Sequence, residues 1–521
     1  MQGIKNYQEK LFTNFQLSDY VPEHNFYRRL KEQLDLSFLY QKPKVYYGDC
    51  GQKSIDPVVF FKLCLVGFLE NIISDLKLIQ HCSMRLDILF FLGYNIDEAL
   101  PVHSTLSRTR QLFPEKIFEQ VFEDTLKSCV ESGLVSGHTQ AIDSAFVKAN
   151  ASMDSLELKV PAHTLEDQLQ KVRVMSQADR QAKNNKATNE QRSITAEDKE
   201  LKEIRSRNKR WSEQQDQRPG AKNKQSKYTS NKTHYSPTDP DARISVKPGK
   251  ARKLNYLCQL GVDIDKNVIT YIGAHYADKK DNQHLQQICN KLLPRLKKSG
   301  LLWTTIVADA GYSSGENYRF LEQLNLQSYI PAHGTYKGGP EGFIYIQNGD
   351  YWLCPNGKQA KFKREKLEKG TLTKFYFTTR GDCKECPLRK TCIRSQHEKK
   401  ITITAFKQQY DRAIKRVKSN YGQYLKIKRQ STVEPAFGNL LNFLGLSKVN
   451  TIGIEQAHKQ MTLAGCAYNL KKLLKFNNIK PISRAQALFS FLNPLIRFIL
   501  KLVQLFIWKN HFPGIKYYQP L

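Results

Sequence analysis

HTQAIDSAFVKA, residues 138–149, holds a single acid, Asp143, inside a run that is otherwise mostly apolar. The change to a two-residue period predicts a strand over Thr139–Val147. Two further acids stand at the edges of apolar runs: Asp309 in WTTIVADAGYSS (303–314) and Glu434 in KRQSTVEPAFGNL (428–440). Outward from these, KLNYLCQLGVDIDKNVITYIGAHYA (253–277) reads as two strands joined by a tight turn at Asp263–Asn267. A helix is expected from Asn282 to Lys298, a strand from Trp303 to Ala308, a helix from Gly315 to about Leu324, and a short strand from Gln327 to Pro331. A last helical region, Phe406–Phe476, carries Glu434. Such an order is that of an α/β sheet with carboxylates at strand ends.

The 521 residues contain 81 Lys+Arg against 49 Asp+Glu, a formal charge of +32. The length suggests roughly two to four domains. A hydrophobic fraction of 40% is enough for a real core and excludes a disordered scaffold. The cations are spread along the chain, which favours a polyanionic partner, with nucleic acid ahead of an anionic membrane. Bare carboxylates in so basic a protein imply something positive between them. The opening MQGIKNYQEKLF shows no apolar secretory region, and several cysteines (Cys64, Cys258, Cys289, Cys466) lie in apolar runs, so reduced thiols in a cytoplasm are expected.

Residues 1 to about 130 read as helical. Asp56-Pro57 supplies a cap and a first-turn proline, and the apolar positions that follow recur at helical spacing, as on a core face. A second helix is expected over Asp87–Leu92, and a third after Pro101, capped by Ser104 or Thr105 and carrying Arg108 and Arg110. A helix-turn-helix and a purely structural helical bundle both fit this outline. The tract from about 155 to 250 lacks a sustained apolar face. Within it, Leu201–Leu254 holds fifteen Lys+Arg and five Asp+Glu. It reads as a disordered basic insertion or as an arm that orders on DNA phosphates. Leu488–Trp508 is apolar, but Asn493, Arg497, Lys501 and Gln504 stack on one helix face. An amphipathic helix is expected there, with no membrane span.

Between Ile401 and Asn450 there are nine Lys+Arg and two acids. Lys426, Lys428 and Arg429 interleave with Tyr421 and Tyr424, which suits phosphate neutralisation and base stacking. Cys383 and Cys386 form a C-x2-C knuckle with Cys392 beyond it and Cys354 upstream. Four such thiolates fit a structural zinc site, while a metal-free cysteine-stapled insertion is equally compatible.

Together, AIDSAFVKANAS (141–152), VADAGYSSGEN (307–317) and RQSTVEPAFGNLLNFLG (429–445) resemble the two aspartate segments and the glutamate helix of DDE transposases of bacterial insertion sequences. DPVVFFKLCLVGFLENIISDLKLIQHC (56–82) with HSTLSRTR (103–110) resembles their helical N-terminal domain; TDPDAR (238–243) and AGCAYNLKKLLKF (464–476) fit as well. The likeness spans about residues 40–475. It implies a ribonuclease H-like mixed sheet flanked by helices over 136–475, interrupted by the basic tract (155–250) and a cysteine-containing insertion (335–400). It also implies an all-α DNA-binding domain over 1–130, leaving 476–521 as amphipathic helix and tail. Asp143, Asp309 and Glu434 would be the triad holding two Mg2+ (or Mn2+) ions. The implied reaction is nicking at the element's inverted repeats, then transfer of the freed 3′-hydroxyl to target double-stranded DNA. The implied setting is a homodimer on DNA in a bacterial, nucleoid-associated cytoplasm. The expected DNA contacts are Arg108, Arg110, Lys426, Lys428, Arg429 and Lys448. One departure stands out: related proteins often place a cation one or two turns beyond the glutamate, whereas the seventh residue here is Leu441 and the next cation is Lys448. That role passes to Arg429 or Lys448, or is lost. A nuclease of the same fold and a decayed transposase acting as a DNA-binding regulator remain alternatives.

Overall fold

The structure is a computed structural model and describes residues 15–47, 54–161, 195–215, 229–246, 251–334, 336–368 and 370–477. The expected amphipathic helix at 488–508 lies outside these residues. No helix among the described residues is long and apolar enough to cross a membrane.

The described part of the first 131 residues contains helices and no strands: α1 (Phe26–Gln33), α2 (Pro57–Leu69), α3 (Asp75–Ser83), α4 (Leu86–Leu92), α5 (His103–Leu112) and α6 (Glu115–Glu131). The Asp56 carboxylate accepts from the N–H groups of Val58 and Val59, and Pro57 occupies the first turn, as the sequence signals. Helix α2 is more deeply placed than a one-sided core face implies. Nine of its thirteen residues are buried, so it runs through the middle of the bundle. Neither Ser104 nor Thr105 caps α5, which begins at His103 with Val102 ahead of it and no side-chain cap.

The main sheet comprises β1 (Thr139–Lys148), β2 (Arg243–Ser245), β3 (Lys253–Asp263), β4 (Val268–Tyr276), β5 (Thr305–Ala308) and β6 (Gln327–Tyr329). Its order is β6-β5-β1-β3-β2, with β4 also on β3. Strands β1 and β3 are antiparallel with Asp143 opposite Leu260; β3 and β4 form the expected hairpin; β5 is parallel to β1 and β6 to β5. Strands β1, β4 and β5 therefore all point the same way. The sheet is sandwiched by α8 (Leu285–Lys298) and α9 (Gly315–Gln323) on one face, and by α11 (Asn420–Asn442) and α12 (residues 454–477) on the other. Helix α7 (Asp198–Gln215) belongs to the basic tract, and α10 (Lys407–Lys418) precedes α11.

A single core joins the N-terminal helices to the sheet. Phe118 and Phe122 of α6, Ala141 and Val147 of β1, Ile272 of β4, Val433 and Phe437 of α11 and Met461 of α12 belong to one contiguous buried cluster. Helix α12 passes close to both α6 and β4 at Gly465, where an added Cβ would stand 3.0 Å from Ile272 and 3.2 Å from Phe122. Packing thus shows no break near residue 130. The opposite face has a separate core of Ile142, Ile306, Leu292 and Leu321 with their neighbours.

The basic tract is not a loose arm throughout. In TDPDAR, Asp239 is fully buried and accepts from the Tyr256 hydroxyl at 2.7 Å and from Gly453 N at 3.2 Å. Asp241 accepts from Ile454 N at 3.1 Å, at the start of α12. The two acids tie the chain before β2 to both β3 and α12, and α7 buries Leu201 and Ile204; the solvated helix expected over 165–193 lies outside the described residues.

An insertion between β6 and α10 builds its own antiparallel sheet in chain order: β7 (Ile344–Ile346), β8 (Tyr351–Leu353), β9 (Gln359–Glu368), β10 (Thr371–Phe377) and β11 (Lys400–Thr404). Its core comprises Trp352, Ala360, Tyr376, Ile401 and Ile403.

Tyr256→Phe removes a donor from a buried carboxylate and keeps the ring. It is expected to destabilise the fold by about 1–3 kcal/mol, read as a lower urea midpoint with unchanged denaturant dependence.

Candidate active site

Strand register sets the geometry of the acids. Ile142 pairs with Ala308 in parallel, so the next residues, Asp143 and Asp309, stand abreast at neighbouring strands. Asp309 ends β5, and its Oδ1 accepts from Gly311 N at 2.9 Å, starting the turn Ala310–Tyr312. Asp143 Oδ2 accepts from Arg429 Nη1 at 2.6 Å. The arginine comes from α11, which crosses β1. Both side chains of this pair are largely out of water, at 12% exposure for Arg429 and 20% for Asp143.

Burial pushes the Asp143 carboxyl up to about 6; the Arg429 charge opposes this, and the Asp309 charge adds to it. Asp309 is raised first by burial and then by a third acid, Asp281. Asp281 follows β4, another strand parallel to β1 and β5, and its Oδ1 accepts from Gln259 Nε2 at 2.9 Å. The Gln259 side-chain Oε1 in turn accepts from the hydroxyl of the fully buried Tyr312. Burial and then the charges of Asp281, Asp143 and Asp309 raise that phenol, placing it among all three acids.

Gly311 lies beneath this group. A Cβ there would stand 3.0 Å from Asp309 Oδ1 and 3.2 Å from Asp281 Oδ2. The glycine of D-x-G-Y is thus the residue that lets two carboxylates close over one turn. Sequence reasoning singled out the motif and missed Asp281. The available signal was topological: a hairpin after β1 makes β4 parallel to β1, so an acid just past β4 reaches the same sheet end.

Glu434 stands apart from the three aspartates. It is exposed on α11, five residues beyond Arg429, and the hydrogen bonds and ion pair of Asp143 and Asp309 do not include it. Among the described residues, no group of three or more His, Cys, Asp or Glu is gathered closely enough to hold a metal. The donor chemistry of the aspartates nonetheless fits a hard divalent cation: oxygen ligands only, mostly buried, with Arg429 as the positive charge paired with them.

Of the expected DNA contacts, Arg108 is exposed, with its guanidinium 3.2 Å from Ser104 Oγ. Arg110 requires correction. It is 5% exposed and turned inward, with both terminal nitrogens on the Asp75 carboxylate at 3.0 and 3.1 Å. A helix of this length in a bundle presents one side to the core, and Arg110 falls on that side with Leu106. Lys426 is exposed and Lys428 half-buried on α11; Tyr421 and Tyr424 are exposed and stack at 6.1 Å. Lys448 is half-buried in a segment bridged to the end of β1, where Val449 N donates to Lys148 O at 3.0 Å.

By fold and site, the chain is an α/β protein with an acidic centre where the middle of β1 meets the carboxyl end of β5, in a strongly basic molecule; Asp143 thus stands within its strand and not at the strand end expected. Residues 353–474 match the family described as transposase DDE domain, and residues 15–112 match the transposase domain DUF772. The two matches support a DDE-type transposase of an insertion element. The first includes Arg429 and Glu434 and leaves out Asp143 and Asp309; the second includes Arg108 and Arg110. The search of curated proteins finds no match.

Because the native state holds the Asp143 proton more tightly than the unfolded chain, its stabilising effect is present below about pH 4. That effect is lost as pH rises through about 6. The shift corresponds to about 3 kcal/mol. Asp143→Asn should therefore shrink the stability difference between pH 4 and pH 7 by an amount of that order, measured by urea unfolding at both pH values.

Proposed function

We propose that this chain is a DNA transposase that binds the terminal inverted repeats of its element, nicks the DNA there and joins the freed 3′-hydroxyl to target DNA. The reading rests on Asp143 and Asp309 standing abreast on parallel strands, both raised by burial, with Arg429 against one of them. The order β4-β3-β1-β5-β6, with three antiparallel strands followed by two parallel ones, supports a ribonuclease H-like catalytic domain.

In this reading Asp143 and Asp309 hold the divalent ions, Mg2+ or Mn2+, with Glu434 as the third carboxylate. When bound, a pair of such ions supplies Lewis-acid activation of the nucleophile and charge relief for the leaving oxygen. The chain contributes the rest. Asp281, Gln259 and Tyr312 form a hydrogen-bonded chain beside Asp309, and Asp281 adds a third negative charge to the site. Arg429 neutralises Asp143 in the free protein and is placed to turn to a DNA phosphate once the carboxylate has another counter-charge. Glu434 approaches by bending of α11. Pro435 lies within this helix and has no N–H to offer the Ser431 carbonyl, so the helix bends most cheaply beside the glutamate.

Lys426, Lys428, Lys448 and Arg108 neutralise the DNA backbone, and Tyr421 and Tyr424 offer ring faces to bases. Synapsis of two element ends calls for a homodimer, acting on nucleoid DNA in a bacterial cytoplasm.

Asp143→Asn, Asp309→Asn and Glu434→Gln should each abolish strand cleavage on labelled element ends while retaining end binding. Cleavage that persists in any one of them removes that residue from the triad. Asp281→Asn should preserve end binding and raise the metal concentration needed for half-maximal cleavage by roughly 10–100-fold, as loss of an outer-shell partner does. Replacing Lys426 and Lys428 together with Ala should weaken binding to all sequences alike. The slope of log affinity against log salt should fall by about 2.

A further inference from the structure

The cysteine-bearing insertion is a separate structural problem from the acidic centre. Its core is small, and β9 is exposed at every position except Ala360. A unit of this size, below roughly 70–80 residues, rarely holds together on such a core without a staple. The stretch between β10 and β11 is the least supported part, with only two short helical turns, Arg380–Lys384 and Arg389–Cys392.

Four cysteines border a cavity at this stretch. Cys354, Cys383, Cys386 and Cys392 all line one cavity of about 30 Å³, together with Phe343, Leu388 and Ile393. Cys354 opens a tight turn in which its N–H donates to Lys358 O at 2.8 Å, and Lys358 N donates back to Cys354 Sγ at 3.3 Å. An amide aimed at a sulfur stabilises the thiolate form. Asn356 Nδ2, on the same turn, lies 3.7 Å from Cys386 Sγ, and Cys383 Sγ lies 3.1 Å from Thr378 Oγ1. The turn and the loop are therefore already in contact, through Asn356 and Cys386.

Charge around the cavity points the same way. Lys358, Arg389 and Lys399 line it against a single acid, Asp382, which is itself engaged by Thr379. Arg389 and Lys399 donate to the carbonyls of Cys383 and Cys392, which places positive charge beside the thiols. The other six described cysteines differ in kind. Each is buried in one of the two main cores, where desolvation pushes the thiol up.

We propose that the insertion binds one structural zinc ion through Cys354, Cys383, Cys386 and Cys392. Four S–H bonds lose their protons to solvent and four Zn–S bonds form, leaving a centre of charge −2 that Lys358, Arg389 and Lys399 offset. The four sulfurs line the cavity without being gathered at ligand distance. Coordination requires the partly exposed Cys386 and Cys392 to close onto the turn of Cys354. The ion clasps the loop between β10 and β11 to the turn after β8 and takes no part in strand cleavage.

The test uses the full-length chain purified without chelator. Elemental analysis should find one zinc per chain, released by a mercurial reagent. Exchange for Co2+ should give the intense near-ultraviolet band of thiolate-to-cobalt charge transfer, which reports sulfur ligation in wild-type protein whatever the variants do. Cys386→Ser and Cys392→Ser should each lose the zinc, and Cys289→Ser should keep it. Absence of stoichiometric zinc after refolding with the metal, a cobalt spectrum lacking the thiolate band, or zinc retained in the Cys386→Ser/Cys392→Ser double variant overturns the proposal. A disulfide among the four cysteines in the native protein does the same.

Discussion

Like charges brought together in a poorly solvated place must find a counter-charge, and the pairing of Arg429 with Asp143 is how this protein meets that demand. Three aspartates converge because β1, β4 and β5 run parallel: Asp143 from the middle of β1, Asp309 and Asp281 from just beyond β5 and β4, all around the buried Tyr312 hydroxyl. Desolvation disfavours the ionised forms of Asp143 and Asp309, and the neighbouring acidic charges add to it. A guanidinium from α11 relieves the first carboxylate, which fixes how that helix lies across β1. The positions of Lys426, Lys428 and the exposed tyrosines follow, since they share the helix.

The same sheet is held from behind by the N-terminal helices. Their aromatic residues and the apolar side chains of β1, β4, α11 and α12 form one core, so distortion in one region is felt in the other. TDPDAR adds a polar fastening: two acids, one fully buried, bind the chain before β2 to β3 and to the first turn of α12. The helices are thus part of one packed body with the sheet. The inward turn of Arg110 onto Asp75 belongs to that structural role, while Arg108 on the same helix stays outside.

Much was legible in the chain because local physics left few choices. The alternation of 139–147, the hairpin at 253–277 and the cap at Asp56-Pro57 each specify one local structure, and each formed as read. Placement of α2 was less legible. A helix that is apolar on most sides satisfies the same spacing rule as an amphipathic one, and only packing shows that it is surrounded. Asp239 looked like a loop acid for the reverse reason: its environment consists of Tyr256 and Gly453, remote in sequence.

Sequence by itself determined that this protein is basic, that it contains an α/β sheet, that Asp143 lies on a strand and that Asp309 follows one, because period and charge are properties of neighbours along the chain. Tertiary structure alone decided the company those acids keep. Strand direction brought Asp281 to the same sheet end, helix rotation set Arg429 against Asp143 and left Glu434 outward, and bundle packing hid Arg110. Distances between remote residues depend on how whole elements pack, and no local pattern encodes that.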